Sequence, residues 1–163
     1  MKLRGGLARA ARMGKSEVKS KLGGFGGQHD FQHGGTMSGT DTALLERMTG
    51  IVTSCFRVDA LYLYGSRARG TGRPDSDWDL GVLFTEYLAD PVERALRPQE
   101  VEAVLERELR MYERISVVDV ENVPPPLQWN IIRGLRFHDR GVPRVRRIEN
   151  AIASRIEKDY TYA

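Results

Sequence analysis

Two aspartates separated by one residue, Asp77 and Asp79, follow a Gly65-Ser66 pair after an interval of ten residues. Side chains alternate along a strand, so carboxylates at i and i+2 share a face. Left bare, such a pair repels itself. A divalent cation removes the repulsion, and Mg²⁺ takes one or two carboxylates together with phosphate oxygens. The Gly-Ser turn supplies the other half of the chemistry. Gly65 permits positive φ and close backbone approach. Ser66 brings an N–H and a hydroxyl, both suited to phosphate. Gly65 and Ser66 are therefore candidate nucleotide-binding residues, and Asp77 and Asp79 candidate metal ligands and catalytic residues for handling a nucleoside triphosphate. Arg67, Arg69 and Arg73 crowd the same loop. Arg67 and Arg73 are the candidates carried forward for neutralising phosphate charge.

These residues need a scaffold, and the flanking sequence provides one. The block GSRARGTGRPDSDWDL joins two apolar runs, read as strands over Val58–Tyr64 and Trp78–Phe84. In the second strand Trp78, Leu80, Val82 and Phe84 alternate with the aspartates and face the core. Between the strands, Ser66–Arg69 opens a short helix, and Gly70, Gly72 and Pro74 mark a loop. Upstream, a helix capped by Asp41 or Thr42 carries the stripe Leu44, Leu45, Met48, Ile51, Val52, Cys55 and Phe56. A second long helix is expected to start at Pro98, a favoured first position. A third strand, Ile115–Val120, is apolar on both faces and is expected to be central. Pro124–Pro126 lead a short helix with Leu127, Ile131 and Ile132; Arg136–His138 read as a short edge strand. After Pro143 comes an amphipathic helix with Val145, Ile148, Ile152 and Ile156 at three-to-four spacing. It either covers the sheet or presents a face to a partner.

Composition limits the alternatives. The 163 residues fit one domain, and 40% apolar content suffices for a core. No run approaches the roughly 18 apolar residues of a membrane span, and the N-terminus lacks the apolar stretch of a secretory signal. Cys55 is the only cysteine, which excludes an intrachain disulfide and agrees with a cytoplasmic location. The net charge of +3 is unevenly placed. Residues 1–36 hold seven Lys/Arg against two acids and nine of the 17 glycines, which leaves the remainder at −2. Such a segment buries too little to fold. Residues 1–36 are read as a disordered basic leader, from an upstream start or a vector, with Met37 the natural start of the folded part. A core at −2 is not expected to bind nucleic acid strongly. The expected division is thus 1–36 leader, 37–142 domain, 143–163 C-terminal helix and tail.

The pattern Gly65-Ser66…Asp77-Trp78-Asp79 resembles the polymerase β-like nucleotidyltransferase superfamily, and the short chain is most similar to its minimal nucleotidyltransferases, the MNT proteins. The likeness extends over about Asp41 to Asp139 and includes VVDVENVPPPLQWNIIRG (Val117–Gly134). The helix after Pro143 resembles the extension of MNT antitoxins paired with HEPN toxins. The resemblance implies an α+β fold, a small mixed sheet flanked by helices with an added C-terminal helix. It implies two Mg²⁺ ions, ATP as donor, and AMP transfer to a tyrosine of a HEPN ribonuclease. The family places a third carboxylate on the third strand, where this chain has Ser116; Asp119 is the nearest acidic alternative and a candidate catalytic residue. Ser116 and Asp119 lie three apart, so a regular strand points them to opposite faces, and Asp119 reaches the site only through a bulge or a shifted alignment. Two alternatives follow: an antitoxin that neutralises a HEPN toxin by binding alone, and an aminoglycoside-type nucleotidyltransferase, which would normally carry a further helical domain.

Overall fold

The computed structural model describes residues 37–161. The expected leader, 1–36, lies outside them. The element order is α1 (Gly39–Cys55), β1 (Val58–Tyr64), α2 (Gly65–Ala68), β2 (Trp78–Phe84), α3 (Pro91–Leu109), β3 (Ile115–Asp119), α4 (Pro125–Ile132), β4 (Leu135–Asp139) and α5 (Pro143–Thr161), with a 3₁₀ turn at Val120–Asn122 after β3. The four strands form one mixed sheet in the order β3-β2-β1-β4. β2 and β4 pair antiparallel to β1, and β3 pairs parallel to β2. This is the α+β, helix-flanked mixed sheet that the family resemblance implies.

Strand alternation divides the core in two. Val58, Leu61, Leu63, Trp78, Leu80, Val82 and Phe84 face α1 and α3, meeting Leu45, Met48, Val52, Val101 and Leu105. Ala60, Tyr62 and Leu83 face the other way and meet Ile131 of α4 and Val145 and Ile152 of α5. The C-terminal helix therefore covers the sheet. Two polar networks tie it down as well. Glu149 Oε1 accepts from the Tyr62 hydroxyl at 2.9 Å and from Arg136 at 2.6 Å; burial, then the Glu149 charge, pushes the Tyr62 phenol well above its ordinary range. Arg144 reaches Asp59, Phe84 O and Glu121.

Several local expectations are corrected. The cap of α1 is Ser38, whose Oγ accepts from Asp41 N–H at 3.1 Å; Asp41 falls in the first turn. Cys55 is exposed, because the helix ends there and Phe56 takes up the contact with the core. The second long helix begins at Pro91. Asp90 caps it, accepting from Val92 N–H at 2.7 Å and Glu93 N–H at 3.1 Å, so Pro91 takes the favoured first position and Pro98 lies buried inside the helix. β3 is an edge strand. Its apolar composition reflects cover by α3, whose Glu102 carboxylate accepts the Val117 N–H at 3.0 Å and closes that edge.

Candidate functional site

The candidate residues gather at one end of the β1–β2 pair, where Tyr64 is the register partner of Asp79. β1 is buried along six of its seven residues, which gives the turn after it a rigid base. Gly65 takes φ +73°, and a Cβ there would overlap Asp79 Oδ2. The glycine thus provides the left-handed turn and also the space in which the Asp79 carboxylate lies. The turn is closed behind it by the Thr71 N–H and hydroxyl, which donate to Ser66 O at 3.0 and 3.3 Å. Asp77 precedes the first residue of β2 and is exposed; Asp79 is half-buried within the strand.

Electrostatics set this pair apart. Neither carboxylate has an ion-pair partner among the described residues. Burial raises the Asp79 pKa above the ordinary carboxylate value, the neighbouring Asp77 charge raises it further, and Arg69 offsets part of the rise. Tyr64, on the same face, is raised by burial and by the Asp79 charge. Among the described residues no three His, Cys, Asp or Glu side chains gather into a group that could hold a metal ion. Two hard oxygen donors that repel each other beside an open backbone turn do suit Mg²⁺ with phosphate oxygens completing its shell.

Gly65, Ser66, Asp77 and Asp79 are brought together, and three other candidates are not. Asp119 is the first. The β2–β3 register is unbroken, with Asp79 opposite Ser116 and Val82 opposite Asp119, so no bulge returns Asp119 to the Asp79 face. Its buried carboxylate pairs with Arg97 of α3 at 3.3 Å and caps the 3₁₀ turn through Glu121 N–H at 3.0 Å. Arg67 also turns away. Its guanidinium stacks over Trp78 at 4.2 Å and donates to backbone carbonyls of Ser76 and Pro74. Arg73 lines a cleft of about 470 Å³ with Arg67, Trp78 and Arg114, on the face of Trp78 rather than of Asp79. The arginine whose field reaches Asp79 is Arg69, which the sequence placed in the loop but did not single out. Its position at the C-terminal end of α2 is the signal that separates it from Arg67, two residues earlier.

A mixed sheet carrying a Gly-Ser turn and an Asp-x-Asp pair at one end of its central strands is a polymerase β-like nucleotidyltransferase fold. The chain belongs to the family described as "Polymerase beta, Nucleotidyltransferase", whose model matches residues 46–140. Similar solved structures include a toxin–antitoxin with AMP-PNP, 18% identical with a TM-score of 0.54 over 75% of this chain and 91% of that one. A tri-AMPylated HEPN toxin in complex with MNT antitoxin from Shewanella oneidensis supplies a chain 15% identical, with a TM-score of 0.54 over 74% of this chain and 89% of that one. A mutant of the toxin–antitoxin MntA-HpeT is 16% identical, with a TM-score of 0.56 over 72% and 90%. At these identities the likeness is one of fold. No curated protein matches the chain. None of its described helices is long and apolar enough to cross a membrane.

Proposed function

We propose that this chain is a Mg²⁺-dependent nucleotidyltransferase that moves AMP from ATP to a protein hydroxyl, a tyrosine of a HEPN ribonuclease toxin, and thereby acts as its antitoxin. The observation that carries the reading is the unpaired Asp77/Asp79 carboxylates set against the Gly65-Ser66 turn. The similar folds of an antitoxin bound to an AMPylated toxin and of a toxin–antitoxin with AMP-PNP support it.

In this reading Asp77 and Asp79 hold two Mg²⁺ ions, and Gly65 and Ser66 receive the triphosphate. Bound there, the cations supply charge neutralisation for the triphosphate and the leaving group. Arg69, beside Asp79, adds positive charge on the same face. The acceptor oxygen bonds to the α-phosphorus, the α–β bridging P–O bond breaks, and pyrophosphate leaves with its electron pair. The hydroxyl proton passes to solvent, because the position beside Asp79 holds Ser116, which is no base at neutral pH. The protein's part is mainly to position these groups. An added nucleotide brings negative charge and bulk to the toxin.

The test is incubation with α-labelled ATP, Mg²⁺ and a co-encoded HEPN protein. Label is expected on the toxin and is lost with Asp77→Asn plus Asp79→Asn. No transfer, or transfer that survives the double substitution, contradicts the reading. Ser116 favours a second reading, in which the chain neutralises its toxin by contact alone. There the double aspartate variant still neutralises.

A further inference from the structure

The two carboxylates of the candidate site are fixed by different means. Asp79 is inside the sheet, paired with Tyr64 on one side and Ser116 on the other. Asp77 lies one residue before β2 begins, at the end of a loop that carries Gly70, Gly72 and Pro74 and offers it no ladder. Arg67 holds that loop. Its Nε and one terminal nitrogen both donate to Ser76 O, at 3.0 and 2.7 Å, and the same terminal nitrogen reaches Pro74 O at 3.1 Å. The Ser76 carbonyl and the Asp77 nitrogen share one rigid peptide plane, so the grip on Ser76 O sets the backbone on the N-terminal side of Asp77. On the C-terminal side the guanidinium stacks on Trp78. Asp41 of α1 lies 3.8 Å from the remaining terminal nitrogen, and the Arg67 side chain is only 10% exposed. Arg114 strengthens the hold from β3's side: its side chain donates to Pro74 O at 2.8 Å and its carbonyl accepts the Trp78 N–H at 2.8 Å. Gly72 makes room for the arrangement, since a Cβ there would lie 2.9 Å from Arg67 Cγ.

We infer that Arg67 is a positioning residue for Asp77, setting the cation affinity of the carboxylate pair from the opposite face of the strand without touching cation or nucleotide. The inference rests on the reading of Asp77 and Asp79 as metal ligands. Loss of a group that orients a metal ligand typically costs about 10–100-fold in metal affinity. A planar two-pronged donor is hard to replace with an ammonium.

Tb³⁺ tests this directly, because Trp78 adjoins both aspartates in the chain, though on the opposite face of the strand, and an indole that close is expected to sensitise its luminescence. Wild type, Arg67→Lys and Arg67→Met are titrated with Tb³⁺ alone, with the double Asp77→Asn/Asp79→Asn variant as baseline and thermal melting recorded beside each. Arg67→Lys is expected to weaken Tb³⁺ binding about tenfold while still melting cooperatively, and Arg67→Met to weaken it further. A folded Arg67→Lys variant with wild-type affinity overturns the inference. Wild-type luminescence no greater than the baseline overturns the metal-ligand reading itself, and the inference with it. If the Arg67 variants do not fold, Gly72→Ala decides: it keeps every side-chain donor and acceptor and crowds Arg67 at its Cγ, Cα and N. Weakened Tb³⁺ binding in that variant supports the inference, and unchanged binding overturns it.

Discussion

The two ends of the β1–β2 pair each bear carboxylates, and they are treated in opposite ways. At one end Asp59, fully buried, accepts from the Thr85 hydroxyl at 2.9 Å and pairs with Arg140 at 2.8 Å and Arg144 at 3.1 Å. Burial alone would raise its pKa, but these partners outweigh burial and hold it below the ordinary value. At the other end Asp77 and Asp79 face each other without cationic partners closer than Arg69's field, and Asp79 is raised. The same residue type on adjoining strands is thus a structural anchor where its charge is satisfied and a ligand-ready group where it is not. In the proposed function a cation and a nucleotide complete the pair.

The largest effect is expected from breaking the satisfied end. Asp59→Ala leaves Arg140 and Arg144 facing each other and should cost about 3 kcal/mol of stability, read by chemical denaturation. A loss under about 0.5 kcal/mol would remove the contrast. Restoring charge at the unsatisfied end comes next. Ser116→Asp adds a carboxylate beside Asp79 and should raise transfer at least about tenfold by supplying a base; an unchanged rate would show that Ser116 is not where the base is missing. The smallest effect is on stability at the site itself. A raised carboxylate pKa means that stability is full below the ordinary value of 3.8 and declines as pH rises through the folded pKa. Asp79→Asn removes that decline. Without divalent cations the variant should melt higher than wild type at pH 7, with the gap closing below about pH 4. For Asp59, whose pKa is lowered, the sign reverses: its stabilisation is present above 3.8 and fades as pH falls further.

The unsatisfied end was legible in the sequence and the satisfied end was not. Asp77 and Asp79 declare themselves by strand alternation, and Gly65 by the turn that must precede them. Asp59 gives no such signal. It occupies a bulge, marked by the register shift between Val58 and Ala60, and its partners lie more than 80 residues away in the case of Arg140 and Arg144. The position of Arg67 is hidden from the sequence for a related reason. Its partners are main-chain carbonyls presented by a loop closure, and residue types do not encode those. Composition points to a central β3 because it reports how buried a strand is, whether a neighbouring strand or the α3 helix covers it.

If a cation and a nucleotide complete the unpaired carboxylates, they stabilise the folded chain, and thermal melting reads that stabilisation. ATP with Mg²⁺, at about a hundredfold over its dissociation constant, should stabilise the wild-type chain by about 2.7 kcal/mol and raise its melting temperature by several degrees. The Asp77→Asn/Asp79→Asn variant should not respond. An equal shift in both proteins would mean that the two carboxylates do not hold the cation and nucleotide.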